Sequence, residues 1–197
     1  SFALLPRTLE YLHDHAPRLV LQVLQIDPET GISMTRSREY DMVIAESYPH
    51  HYIPEYPELH SELLVEDPLS LIVPADSPIR SLHEARHIPW VLEREENTSR
   101  RWAVNQCRAA GFEPEIRYSA NDMITNVNLV RAGFAASIVP GFILASLSNS
   151  EGLRVVDLPG APYRSIFTAV RADAVTTPAL AMVREAMRYA VSEAFDS

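Results

Sequence analysis

The sequence predicts an α/β chain of two layered lobes, and three observations carry that expectation. Residues 129–140, LVRAGFAASIVP, run a helix end through Ala132 and Gly133 straight into an apolar strand closed by Pro140. Gly133 stands where a helix end needs a left-handed residue, which glycine adopts cheaply, and a junction with no room for a loop belongs to a parallel, layered α/β domain. Short apolar strands and amphipathic helices alternate along the chain, and after the Pro74 to Pro78 punctuation that pattern restarts, as a second lobe would.

The bulk numbers bound the function. A chain of 197 residues and 22.1 kDa can form one sizeable domain or two lobes of about 100 residues, each with a real core. The formal net charge of −9 argues that this polypeptide does not grip a phosphate backbone, which needs clustered cations, so any nucleic-acid role falls to another part of the protein. Cys107 is the single cysteine, which excludes an internal disulfide and suits a reducing cytoplasm. The apolar tract at residues 134–147 is broken by Pro140 and Gly141 and falls short of the roughly 20 residues of a membrane span. The start at Ser1 carries no signal peptide and no methionine, which reads as a trimmed piece of a longer protein.

Taken in order, Leu5, Leu9 and Leu12 recur at helical spacing, so residues 4–15 are expected to form a helix with one buried stripe and Pro6 in its first turn. Ala16-Pro17 ends it, and residues 19–26 alternate as a strand would. Asp27 to Gly31 reads as a turn before a short polar helix, and residues 41–45 as a short buried strand, an order that implies a parallel pair with a right-handed crossover. A proline-rich excursion at 48–57 precedes a strand at 62–74 with Leu69, Leu71 and Val73 on one face.

In the second lobe, residues 90–92 are a strand, Asn97-Thr98-Ser99 offers a helix N-cap, residues 100–110 are helical, and Gly111 closes that helix. Residues 115–118 are a strand; Asn121-Asp122 caps the helix carrying Met123, Val127 and Val130; residues 135–139 are the strand after it. A helical turn at 141–147, strands at 153–158 and 164–171, and a helix at 178–195 complete the chain. That last helix carries Ala179, Met182, Val183, Ala186, Met187, Ala190, Val191 and Ala194 as one continuous stripe.

Several landmarks carry a family resemblance: Leu5-Pro6 opening the first helix, His15-Ala16-Pro17 closing it, Tyr40 to Ala45 (YDMVIA), Glu66 to Leu69 (EDPL) with Val73 to Pro78 (VPADSP), Gly111-Phe112, the Gly133 junction, and the strand at 167–171. In that order they resemble the effector-binding domain of LysR-type transcriptional regulators, from just after its first strand to its C-terminus. Ser77 departs from the family's usual His before Pro78, and Ala135 from its second Gly. The resemblance implies two Rossmann-like lobes of the type II periplasmic-binding-protein kind, joined by two crossover strands near 71–75 and 162–167. It assigns residues 1–72 plus 164–197 to lobe I and 73–163 to lobe II. It also implies a small effector between the lobes, a DNA-binding winged helix-turn-helix outside this sequence, and antiparallel dimerisation, or a tetramer, through the first helix and the strand at 19–26 against residues 101–118 of a partner.

In open α/β sheets ligands sit at the carboxyl ends of strands, where helix N-termini present free N–H groups that favour anions. Those positions supply the candidate effector residues Ser1, Phe2, Pro28, Thr30, Thr98, Ser99, Arg100, Asn121 and Met123. Plain N-capping accounts for Ser, Thr and Asn at such places equally well; taken together they favour a small polar or anionic ligand. Arg100 and Arg101 offer fork-like contacts to a carboxylate, with pairing to Glu93, Glu95 or Glu96 as the structural alternative, and Trp102 reads as core or cleft wall. His50, His51 and His60, with Tyr48, Tyr52 and Glu55, have no recognised metal spacing. No nucleophile elbow or phosphate-cradling glycine loop is present, so neither a cofactor, a metal nor an enzymatic activity is expected. A solute-binding protein of a transport system, with the same fold, is the alternative to the regulator.

Overall fold

The structure, a computed structural model, describes residues 4–51, 54–147 and 149–195, the last without its side chain. The chain divides into two compact units, Ser1–Ser47 with Ile53–Glu66 and Ser165–Ser197, and Tyr48–Tyr52 with Asp67–Arg164. Two long strands, β2 (Leu59–Pro74) and β7 (Tyr163–Arg171), run through both. The division in β2 falls between Glu66 and Asp67 and not at residue 72, because Leu69 and Leu71 are already part of the second unit's core.

The first unit pairs helices against a small sheet. Helix α1 (Leu5–His15) packs on α6 (Pro178–Phe195) through Leu12, Val183, Ala186 and Met187. The Tyr11 hydroxyl donates to Glu185 at 2.8 Å. The buried residues of α1 are Thr8 and Leu12, in one row with Leu4 just before the helix, while Leu9 is exposed; Leu12 is the member of that row packed on α6. On α6 the apolar stripe is interrupted by Arg184, buried but paired with Glu62 at 2.8 Å and Thr168 at 3.2 Å.

Strand β1 (Met42–Ser47) runs antiparallel to β7, Met42 opposite Val170 and Ser47 opposite Ser165. The parallel crossover expected from residues 19–26 is absent. That segment is irregular, with Val20, Val23, Leu24 and Ile26 exposed. Alternation makes a strand only where a neighbouring strand supplies the ladder, and among the described residues β1 pairs with β7. Helix α2 (Pro28–Arg36) begins at the residues expected to form a turn: the Asp27 carboxylate accepts from the Thr30 N–H at 2.8 Å, and Pro28 occupies the first helical position, where a missing N–H costs nothing.

In the second unit β2 takes β5 (Ser137–Pro140) and β6 (Leu153–Asp157) as antiparallel neighbours. The parallel grammar appears beside them: β3 (Trp90–Leu92) pairs parallel with β4 (Ile116–Ser119) and makes a parallel bridge from Trp90 to Ala136. Helices α3 (Thr98–Ala109) and α4 (Met123–Arg131) connect those strands. Gly133 has φ +85° and Phe134 donates back to the Leu129 carbonyl at 3.1 Å, the left-handed helix end expected of it. Helix α4 is capped by Asp122, whose carboxylate accepts from Ile124 and Thr125, rather than by Asn121. One core forms around Trp90, Trp102, Leu71 and Ile138, another around Val91, Val127, Val130 and Val139.

Helix α5 (Gly141–Ala145) is short and tied to the core by a buried ion pair. Asp67, fully buried on β2, receives the Phe142 N–H at 3.0 Å and Arg164 of β7 through Nε at 2.9 Å and Nη2 at 2.8 Å. A Cβ on Gly141 would lie 3.0 Å from the Asp67 carboxylate, so glycine permits the approach. A short 3₁₀ helix, His83–His87, and a second one, Ala172–Ala174, carry no sequence expectation.

Candidate functional site

A narrow depression in the second unit lies where β3, α3, α4 and β5 converge. Apolar walls come from Tyr48, Leu69, Leu92 and Ile138; its polar groups are Glu93, Ser99, Arg100, Trp102, Asn126 and Ser137. The backbone brings them together because β3 delivers Glu93 at its carboxyl end, α3 starts a few residues later, and α4 lays its buried face alongside.

Arg100 sits in the first turn of α3. Its Nη1 donates to the Glu93 carbonyl at 3.1 Å and to the Ser119 hydroxyl at 2.9 Å. Those contacts leave Nε and Nη2 without a protein acceptor among the described residues. That free edge is the one with which a guanidinium grips a carboxylate bidentately. The carboxylate of Glu93 is held by the Ser99 hydroxyl on Oε2 and by Asn97 Nδ2 at 3.3 Å on Oε1. Asn97 occupies the N-cap position of α3 but makes no side-chain cap, so the first-turn amides of this helix keep their capacity for an anion.

Two polar groups inside the depression are unsatisfied. Asn126 is 1% exposed and its Oδ1 has no hydrogen-bond partner; Trp102 is 2% exposed and its indole N–H has none. Asn126 Nδ2 approaches only the Met123 sulfur, at 3.8 Å. Buried groups of this kind are ordinarily paired, since each orphan costs about 1–3 kcal/mol.

Of the residues picked from the sequence, Ser99, Arg100 and Met123 line this depression. Thr98 does not: its hydroxyl accepts from Arg101 at 3.0 Å. Asn121 is exposed and outside the lining. Pro28 and Thr30 belong to the first unit, at the start of α2. The carboxylates of Asp27 and Asp122 already hold negative charge at the N-termini of α2 and α4, each pulled below the usual range by the threonine hydrogen bonds it accepts, and a second anion would meet repulsion there. Ser1 and Phe2 lie outside the described residues. Asn126 escaped the sequence reading although it interrupts the Met123, Val127, Val130 stripe, and a polar residue inside an apolar face is the signal that marks it.

Among the described residues, the histidines do not gather into a second cluster. His50 is exposed and His51 shares its unit, His60 pairs with Glu62 at 3.2 Å in the other, Tyr52 lies outside the described residues, and among the described residues no cluster of His, Cys, Asp and Glu could hold a metal ion. Burial pushes the Cys107 thiol up to about 12, so the nucleophilic thiolate is scarce at neutral pH. Native protein is therefore expected to resist iodoacetamide, with one thiol titrating only after denaturation; modification at the native stage would contradict the buried placement. No described helix is long and apolar enough to cross a membrane.

The chain is 22% identical over 142 residues to the transcriptional dual regulator GltC of Bacillus subtilis, a match covering 70% of this chain and 46% of that protein; the chain thus spans less than half the length of that curated relative. Full-length OxyR C199D from Pseudomonas aeruginosa superposes with a TM-score of 0.76 at 18% identity, covering 94% of this chain and 64% of that one. The Corynebacterium glutamicum OxyR C206 mutant gives 0.78 at 19% identity, covering 100% and 62%. A reduced form of OxyR from N. meningitidis gives 0.76 at 20%, covering 96% and 90%. At these identities the likeness shows the fold, that of the type II periplasmic-binding-protein kind, and not the ligand. Residues 1–192 match the family described as LysR substrate binding domain, and the chain belongs to that family.

Proposed function

We propose that this chain is the effector-sensing part of a LysR-type transcriptional regulator, and that the effector binds in the second unit with a carboxylate on Arg100. The observation that carries the site is the free Nε and Nη2 edge of a guanidinium whose Nη1 is already anchored to Glu93 and Ser119. An anchored fork loses little entropy on gripping an anion, and the uncapped start of α3 adds backbone N–H groups on the same side. Ser99 and Met123 line the same depression; Pro28, Thr30, Thr98 and Asn121 serve as capping or surface positions. The role is binding, without catalysis or cofactor.

Thermal-shift screening against carboxylates, amino acids and aromatic acids tests it. A ligand at 100 times its dissociation constant stabilises the folded chain by about 2.7 kcal/mol. For a confirmed hit, Arg100→Ala should weaken binding roughly 10–100-fold, the size of a lost charge-assisted contact of about 1.5–3 kcal/mol. A hit that binds Arg100→Ala as tightly as the parent chain overturns the site.

Regulation needs two states that the effector binds unequally. In this proposal those states are arrangements of a homodimer, whose re-spacing acts on DNA through a part of the protein other than this acidic chain. Leu9, Val20, Val23 and Leu24 are exposed on the first unit at 43%, 84%, 42% and 65%, an apolar surface of the kind a subunit contact covers. Leu9→Glu with Leu24→Glu should shift the chain to monomer in sedimentation velocity at micromolar concentration, and an unaltered dimer would exclude this surface.

A further inference from the structure

Resting on the site just proposed, we infer that Ser119 is a positioning residue for it: its hydroxyl sets which edge of the Arg100 guanidinium meets the ligand, without touching the ligand itself. Strands β3 and β4 are parallel neighbours with Leu92 opposite Ser119, and the Ala120 N–H donates to the Leu92 carbonyl at 3.2 Å. The Glu93 carbonyl and the Ser119 hydroxyl therefore stand together at the carboxyl ends of two strands, the place where parallel sheets receive ligands. Arg100 reaches both from the first turn of α3 through one nitrogen, Nη1, at 3.1 and 2.9 Å. Nη1 carries two hydrogens, so the two acceptors use it fully. What remains is the Nε–H with Nη2, the side of a guanidinium that matches two carboxylate oxygens.

Both anchors are neutral, which leaves the positive charge for a ligand. Elsewhere in the second unit Arg94, Arg108 and Arg117 direct Nε to Glu96, Glu113 and Glu115 at 2.7, 2.7 and 2.8 Å, so that edge is already taken up by a carboxylate. Arg101, the next residue along α3, turns its Nη2 to the Thr98 hydroxyl of its own helix at 3.0 Å. Arg100 alone among these five is held from a neighbouring strand by a side chain that carries no charge. Without the Ser119 hydroxyl, Nη1 keeps the Glu93 carbonyl and loses its second tether, and the guanidinium then gives up more conformational entropy on gripping an anion.

The test uses acetate, a carboxylate with no further polar group, on the full 197-residue chain. In the parent chain the Arg100 Nε–H resonance, identified by its loss in Arg100→Ala, should shift saturably with acetate, and its heteronuclear NOE should report an ordered guanidinium. Ser119→Ala should lower that NOE and weaken acetate about threefold to tenfold, the worth of one neutral hydrogen bond. Ser119 is exposed, so the same variant should melt within about 2 °C of the parent. Ser119→Thr, which keeps a hydroxyl, should restore both the order and the affinity. An ordered guanidinium with unchanged acetate affinity in Ser119→Ala overturns the positioning role and leaves the site standing. A loss that Ser119→Thr does not restore overturns it too, because the hydroxyl is then not the cause. If acetate leaves the Arg100 Nε–H unmoved in the parent chain, the site itself is wrong and Ser119 has nothing to position.

Discussion

Arg164→Ala is expected to destabilise the second unit by about 3–5 kcal/mol, the cost of leaving a buried charge without its partner. Asp67 is fully buried, and Arg164 is 5% exposed. With the guanidinium gone, the carboxylate loses its Nε and Nη2 donors and keeps the Phe142 N–H. Both tryptophans, Trp90 and Trp102, belong to the second unit, so tryptophan fluorescence in urea reads that unit alone. A loss below about 1 kcal/mol would mean that water reaches the site and repays the missing partner. Replacing both charges, Asp67→Leu with Arg164→Met, is expected to cost far less than the single change, since no charge is then left in the core.

The pH dependence of that pair follows from the direction of its shift. Burial pushes the Asp67 carboxyl up, against the opposite pull of the Arg164 guanidinium and the Phe142 N–H. A carboxyl whose folded value exceeds its unfolded one, about 3.9, contributes stability that is fully present below the unfolded value and lost as pH rises through the folded value. Acid therefore does not unfold the second unit through Asp67. The groups that weaken it in acid are carboxyls shifted the other way, such as Asp122 at the start of α4, whose contribution is present above the unfolded value and lost as pH falls through the folded one.

Trp90→Ala is expected to cost about 3–5 kcal/mol, the range for deleting a large buried aromatic side chain. Trp90 is fully buried, and its indole N–H donates to the Ala85 carbonyl at 3.2 Å, tying the His83–His87 turn to β3. The Phe112 ring lies 6.1 Å away. The backbone ladder survives the substitution, because the Trp90 N–H reaches Glu115 and the Ala136 N–H reaches Pro89 through main-chain atoms. Trp90→Phe retains most of the volume and strands one carbonyl, so a loss of about 1–2 kcal/mol is expected. Equal losses for the two variants in urea unfolding, followed by Trp102 fluorescence for each, would show that the hydrogen bond rather than the cavity dominates.

The elements legible in the sequence are those whose local chemistry agrees with their surroundings. The helix at 178–195 was fixed by its apolar period, the α4-to-β5 junction by Gly133, and the strands 90–92 and 153–157 by apolar runs between turn residues. Residues 19–26 alternate as a strand should and yet form none, since no sequence pattern provides a ladder partner. Leu9 is exposed while Leu12 is buried, because the side of α1 that enters the core is the one that packs Leu12 on α6, a helix more than 160 residues further along.

For the site, the sequence by itself placed Ser99, Arg100 and Met123 at helix starts after strands, where anions are favoured, and set a net charge of −9 that speaks against a phosphate backbone as this chain's own partner. Which of those helix starts is left without a side-chain cap was decided only by the tertiary structure. Asp27 and Asp122 fold back onto α2 and α4, while Asn97 turns to Glu93 and leaves α3 uncapped. The same holds for Asn126 and Trp102, whose polar atoms read as ordinary until packing removes their water. Capping and stripe spacing are local, but an unmet hydrogen bond exists only once chains of contact from four separate segments have closed around it.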